Sequence, residues 1–151
     1  MKIDRITDDD LRKLVKLEER AFTVGPYSAD MLRYALSESG DMAFKVEDEE
    51  NIIAYIMACP VSDSSLDIES VAVDPEYRGK GLAKALFQHI EDIAKQRGYE
   101  KIVLEVREHN PEAIGLYEKL GFKKTEFLKN YYSEKLNGSR NAFRMEKRLI
   151  E

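Results

Sequence analysis

The run Val71-Ala72-Val73-Asp74-Pro75-Glu76-Tyr77-Arg78-Gly79-Lys80-Gly81-Leu82-Ala83-Lys84-Ala85-Leu86 constrains this chain more than any other stretch. It reads as a buried strand, a turn with two glycines and the start of an amphipathic helix. A strand that feeds a helix through such a turn aims free backbone N–H groups, and the positive end of the helix dipole, at whatever lies above the turn. That is an anion site, most often a phosphate site. Arg78, Lys80 and Lys84 add positive side chains to it.

The rest of the chain arranges itself around this unit. Residues 2–6 read as a short edge strand. Thr7 and three following aspartates open a helix over about 8–22, on the apolar spacing Leu11, Leu14, Val15, Leu17 and Ala21. Gly25-Pro26 breaks it, Ser28 caps a second helix, and Gly40 ends that one. Strands over 42–47 and 51–60 flank the acidic turn Glu47-Asp48-Glu49-Glu50-Asn51 and form a hairpin. In the next strand, 65–74, Leu66 and Ile68 share one parity while Val71 and Val73 share the other. Either both faces are buried, or one extra residue near Glu69-Ser70 resets the phase. The pattern favours the second, a β-bulge, which bends a strand and leaves backbone groups unpaired. The helix from Leu82 carries Leu86, Ile90 and Ile93 on one stripe and ends at Gly98. A strand over 101–106 follows, then a helix opened by Asn110-Pro111 and ended by Gly121. Strands near 122–131 and 141–149 complete the order βααβββαβαββ. This is an α/β (α+β) mixed sheet in a single domain spanning 1–151.

Composition narrows the function. With 151 residues and a net charge of −5, the chain is long enough for one sizeable core, and its charge argues against nucleic acid as the main partner and fits a cationic substrate better, although a modest net charge is also the ordinary state of a soluble protein. No apolar run approaches the ~20 residues that span a bilayer, so no membrane partner is expected. Met1-Lys2-Ile3-Asp4-Arg5 has no apolar stretch of the kind a secretory leader carries. One cysteine, Cys59, cannot make an internal disulfide and fits a reducing, cytoplasmic setting. It sits in an apolar run without an adjacent histidine, so it reads as a structural thiol rather than an acyl carrier. With His89 and His109 as the only histidines, no metal site is indicated.

The glycine turn fails two nucleotide signatures. A mononucleotide loop needs Gly-Lys followed by Ser or Thr, and a dinucleotide loop needs a third glycine where Lys84 stands. It does match Gln/Arg-x-x-Gly-x-Gly/Ala, as Arg78-Gly79-Lys80-Gly81-Leu82-Ala83. Two further segments reinforce that match, Leu104-Glu105-Val106-Arg107-Glu108-His109-Asn110-Pro111-Glu112-Ala113-Ile114-Gly115-Leu116-Tyr117-Glu118-Lys119-Leu120-Gly121-Phe122 and Asn130-Tyr131-Tyr132. Over nearly its whole length the chain resembles the GNAT superfamily of N-acetyltransferases. It is most similar to the branch that acetylates ribosomal-protein alanines and other protein N-terminal α-amines. Gly25-Pro26-Tyr27-Ser28 resembles that branch's substrate loop. Before the last strand, however, Gly138-Ser139-Arg140-Asn141-Ala142 departs from the usual Gly-Glu/Arg-Asp-Ala and lies in a longer loop, which bears on the acceptor.

The resemblance implies acetyl-CoA as co-substrate and direct attack by the amine in a ternary complex. It places the diphosphate on the N–H groups around Arg78, Gly79, Lys80, Gly81, Leu82 and Ala83. It runs the pantetheine arm along Val71, Ala72 and Val73, with the Val71 N–H facing the thioester oxygen and Asn110 touching the arm. Glu105 maps onto the general base and Tyr117 onto the acid beside the coenzyme sulfur. The residues leave alternatives open. Glu105 could be neutralised by a neighbouring base such as Arg107, and Asp67 and Glu69 are rival bases. Tyr27, Glu69, Tyr131 and Tyr132 are candidates for the acceptor groove. An α-amine (about 7.7–8) is easier to deprotonate than a lysine (about 10.4) by ~3–4 kcal/mol, so it tolerates a base acting through water. The partner is expected to be a peptide or protein N-terminus, with a small amine such as a polyamine, amino acid or drug as the alternative. A coenzyme-A-binding module without catalysis is a third reading. Monomer and homodimer both remain open.

Overall fold

A computed structural model describes residues 1–150. In chain order the elements are β1 (Asp4–Arg5), α1 (Leu11–Ala21), α2 (Ala29–Ser39), β2 (Ala43–Asp48), β3 (Asn51–Pro60), β4 (Ser65–Val73), α3 (Leu82–Gln96), β5 (Lys101–Arg107), α4 (Pro111–Lys119), β6 (Lys123–Leu128) and β7 (Ala142–Arg148). This is the expected order βααβββαβαββ. Thr7 caps a short 3₁₀ turn, Asp8–Asp10, and the α-helix itself starts only at Leu11.

The strands form one seven-stranded sheet in the order β1-β2-β3-β4-β5-β7-β6. Only the β4–β5 pair is parallel. The hairpin between β2 and β3 turns on Glu49 and Glu50, both at positive φ, which gives the twist that two-residue hairpin loops need. One face of the sheet packs on α3 and α4 through Leu82, Leu86, Phe87, Ile90 and Ile114. The other packs on α1 and α2 through Leu14, Leu17, Leu32, Ala35 and Leu36. β3 is covered on both faces, so its residues 52–58 are all buried.

The irregularity in β4 is a bulge. Met57 pairs with Ser70 and Ala58 with Ile68, so Glu69 is the extra residue. It resets the phase as the parity break suggested. Leu66, Ile68, Val71 and Val73 all pack into the core beneath α3, while Ala72 faces α1 and α2. The bulge also ends the pairing with β5. β4 and β5 are joined only from Ser65–Lys101 to Asp67–Val103 and separate beyond. That separation positions everything described below.

Candidate active site

Beyond the point where β4 and β5 separate lies a cleft of about 550 Å³, lined by Val71, Val73, the glycine turn, the first turn of α3 and the inner face of α4. Its floor is bare backbone. The Asp74 N–H donates to the Ile53 carbonyl at 2.8 Å, towards β3. Backbone direction alternates along a strand, so the Val71 and Val73 groups point the other way, into the gap. At its outer end Gly79 (φ 78°) and Gly81 (φ 81°) bend the chain into the N-terminus of α3, with Gly81 as its N-cap. A Cβ added at either glycine would meet no atom within 4 Å. The glycines are therefore required by backbone conformation and by what approaches from outside, not by protein packing. A slot with strand-edge donors along one wall and a helix N-terminus at its mouth suits an extended arm that ends in a diphosphate. The turn's side chains are partly committed elsewhere. Arg78 donates to the Ala21 carbonyl at the end of α1 (3.3 Å), and the Lys80 ammonium lies 5.2 Å from the centre of the Tyr77 ring.

The cleft continues into a smaller chamber of about 190 Å³, where Val71, Asn110 and Tyr117 line both. Glu69, Glu105, Arg107 and Tyr132 complete the chamber. Asn110 caps α4 through its side chain, which accepts from the Ala113 N–H at 3.1 Å. Tyr117 packs against Phe87 and Phe122, and burial pushes its phenol up to about 12. Glu105 does not pair with Arg107. Its partner is Arg144, directly opposite on β7, whose Nε donates to Glu105 at 3.0 Å. Arg107 instead lies over the Tyr132 ring at 4.0 Å and donates to the Glu134 carbonyl. Asp67 pairs with Val103, two residues before Glu105 on β5, so its side chain stands beside Glu105 on the same face of the sheet. Burial, and then the Glu105 charge, push its carboxyl up to about 8. Burial and the same charge raise Glu69. Tyr27, Tyr131 and Tyr132 gather at the chamber's rim. The Tyr27 hydroxyl donates to the Glu69 carbonyl at 3.3 Å, and Tyr131 and Tyr132 stack edge to face.

Two parts of this construction escape a sequence reading. Glu18 is almost fully buried on α1. It accepts from the Tyr27 N–H (2.8 Å) and from the Tyr55 hydroxyl (2.6 Å), which also meets Ser70 beside the bulge (2.6 Å). One carboxylate thus ties the Gly25-Pro26-Tyr27 loop to β4. Its only sequence signal is a charge inside the apolar stripe of Leu14, Leu17 and Ala21. The second part is Glu108, which accepts from the Ser139 hydroxyl (2.7 Å) and the Asn141 amide (3.2 Å). Beside it, His109 and Asn137 bond reciprocally. The loop carrying Tyr131 and Tyr132 is thereby fastened to the start of α4. Cys59, half-buried, meets Ser39 at 3.4 Å, and burial raises its thiol.

The acetyltransferase (GNAT) family model matches residues 10–122. The chain belongs to that family. As a GNAT protein it is an acyltransferase that uses acetyl-CoA, and the slot and glycine turn fit that co-substrate. The acetyltransferase is 33% identical to the ribosomal protein bS18-alanine N-acetyltransferase of Escherichia coli over 132 residues, 86% of each chain. A crystal structure of the ribosomal-protein-S18-alanine N-acetyltransferase from Escherichia coli covers 99% of this acetyltransferase and 94% of its own chain, with a TM-score of 0.86. Arabidopsis thaliana Naa50, in complex with a coenzyme A–peptide bisubstrate analogue, is 25% identical, with a TM-score of 0.82 and 97% of each chain covered. Human N-acetyltransferase 8B is 37% identical over 102 residues, and there the match spans only 45% of that relative's length. Among the described residues, no helix of the acetyltransferase is long and apolar enough to cross a membrane.

Proposed function

We propose that this acetyltransferase acts on the α-amine of a protein or peptide N-terminus. The observation that carries the reading is the single chamber in which Glu105, Tyr117 and the inward-facing Val71 backbone meet, at the end of the coenzyme slot and beneath a rim of tyrosines. The likeness to the bS18-alanine enzyme over most of both chains supports the acceptor class.

In this reading the amine enters between the Tyr27 loop and the Tyr131–Tyr132 loop. Glu105, paired with Arg144, takes its proton directly or through one water. The free amine attacks the thioester carbon, and the negative charge that grows on the thioester oxygen meets the Val71 N–H. The bond to sulfur then breaks, and Tyr117 faces the leaving thiolate. A phenol at about 12 against a thiol near ~8.5 makes full proton transfer uphill by roughly 5 kcal/mol. Tyr117 therefore acts as a hydrogen-bond donor that stabilises the sulfur, and solvent supplies the final proton.

A second reading, a small polycationic amine, is favoured by one observation. Glu69 and Glu105 place two carboxyls in the chamber, Asp67 adds a third just behind Glu105, and Arg144 pairs with Glu105. Turnover on a panel of N-terminal peptides and a panel of polyamines separates the two. Peptide turnover exceeding polyamine turnover at equal concentration is expected, and the reverse overturns the α-amine reading. Glu105→Gln and Tyr117→Phe should each lower kcat by at least about tenfold, with coenzyme A affinity retained. Unchanged kcat in both removes the catalytic assignment.

A further inference from the structure

Glu105 raises a question that the chamber alone does not answer. Coenzyme and acceptor both enter on the side of Glu105 that faces the slot and the rim, so a proton leaving by that side would have to pass them. The other side of Glu105 offers another path. Asp67 stands beside it on the same face, one strand over, paired with Val103 at the last point where β4 and β5 are joined. Asp67 also lines a separate outer groove of about 530 Å³ with Lys101, Thr125, Glu126, Arg144 and Glu146. No residue lines both the chamber and this groove. Asp67 beside Glu105, and the Glu105–Arg144 pair, are what join them.

The geometry points to Asp67 as a proton-relay residue that acts through Glu105, carrying the acceptor's proton from the chamber to solvent in the outer groove. This rests on the reading of Glu105 as the base. The steps balance. Glu105 takes the ammonium proton, Asp67 releases its own proton to water in the groove, and the Glu105 proton crosses to Asp67. The pair returns to one proton and one negative charge, and the net transfer is from ammonium to water. Arg144 has a defined part in this, because its charge keeps the shared proton on the Asp67 side.

The electrostatic surroundings of Asp67 are mixed. Cys59 is its register partner on β3, and Glu69 follows it on β4. Glu105 and Lys101 face it from β5, Arg144 and Glu146 from β7, and Glu126 from β6. Tyr131 and Tyr132 lie close enough for its charge to raise their phenols. Those phenols lie at about 12, Lys101 pairs with Glu146 (2.8 Å), and Arg144 bridges Glu105 and Glu126. Burial also raises the Cys59 thiol above its ordinary range. Burial raises two carboxyls of this cluster, Asp67 and Glu69, and of the two only Asp67 lines the outer groove.

The test is kcat against pH for the full chain at saturating acetyl-CoA and saturating peptide, in light and heavy water. Asp67→Asn should keep coenzyme A affinity, lower kcat by about tenfold or more, and remove a kcat titration near pH 8. The solvent-isotope proton inventory should change from curved to linear, as one of two moving protons is lost. Asp67→Glu should restore both the rate and the curvature. Wild-type kcat and profile in Asp67→Asn would overturn the relay, as would a loss that Asp67→Glu does not repair. Glu105→Gln, measured alongside, separates the two claims. Full turnover there overturns the base assignment itself. A crippled Glu105→Gln beside an unimpaired Asp67→Asn overturns only the relay.

Discussion

Gly81→Ala separates what the glycine turn does for the fold from what it does for the coenzyme. Gly81 has φ 81° and ψ 13°, and an added Cβ has no neighbour within 4 Å. The whole cost to stability is therefore conformational. A residue with a Cβ pays about 1–2 kcal/mol in the left-handed region. Replacing glycine returns about 0.4–1 kcal/mol by restricting the unfolded chain. The net loss is about 0–1.6 kcal/mol, a fall in melting temperature of no more than roughly 6 °C for a chain of this size. Binding should respond far more. The methyl enters the space through which an anion reaches the N–H groups at the start of α3 and weakens coenzyme A by more than about tenfold, or ~1.4 kcal/mol. Scanning calorimetry and titration calorimetry with coenzyme A measure the two quantities on one sample. A stable Gly81→Ala that binds coenzyme A as the wild type does would refute the assignment of the turn as the diphosphate cradle. A fall in melting temperature beyond about 10 °C would instead show that the methyl collides with the protein.

Other substitutions probe the supports of the site. Glu18→Gln keeps the shape and the bond from the Tyr27 N–H, reverses the other so that its amide donates to the Tyr55 hydroxyl while that hydroxyl turns to Ser70, and removes a desolvated charge. Burial raises the folded-state carboxyl of Glu18 above its ordinary value, so its charge subtracts stability as pH rises through that raised value and costs nothing below the unfolded value of about 4.3. The variant should melt higher than wild type at pH 8, with the difference closing by pH 4 in a melting series. Glu108→Ala releases the Ser139 and Asn141 bonds that fasten the acceptor loop. It should raise KM for the peptide several-fold and leave coenzyme A affinity unchanged in steady-state and calorimetric assays.

Local signals carried much of this structure into the sequence. The parity break between Leu66–Ile68 and Val71–Val73 marks the bulge because packing demands that all four reach one core, and only an extra residue reconciles that with a period of two. The glycine turn and the Asn110 cap are equally local, and both stand where the sequence puts them. The partners of Glu105 are different. Arg144 lies 39 residues away, and its position opposite Glu105 is set by the register of β5 on β7, which no local pattern encodes. The nearer Arg107 follows Glu105 at an even spacing on the same strand, yet it turns away to cover Tyr132. Glu18 shows the complementary failure. A lone charge in a helix stripe gives no hint that Tyr55 and the Tyr27 backbone converge on it from other elements.

The bulge at Glu69 has a consequence for how such a cleft can arise. Without that residue, the segment would read Leu-Asp-Ile-Ser-Val-Ala-Val, a strand of unbroken alternation with the same four side chains in the same core. Nothing would then turn β4 away from β5, and the parallel ladder could run on past Asp67. The chain would still have its sheet and its core, and it would have no slot. One codon, in the middle of a strand, stands at the point where the two strands stop pairing and the slot begins.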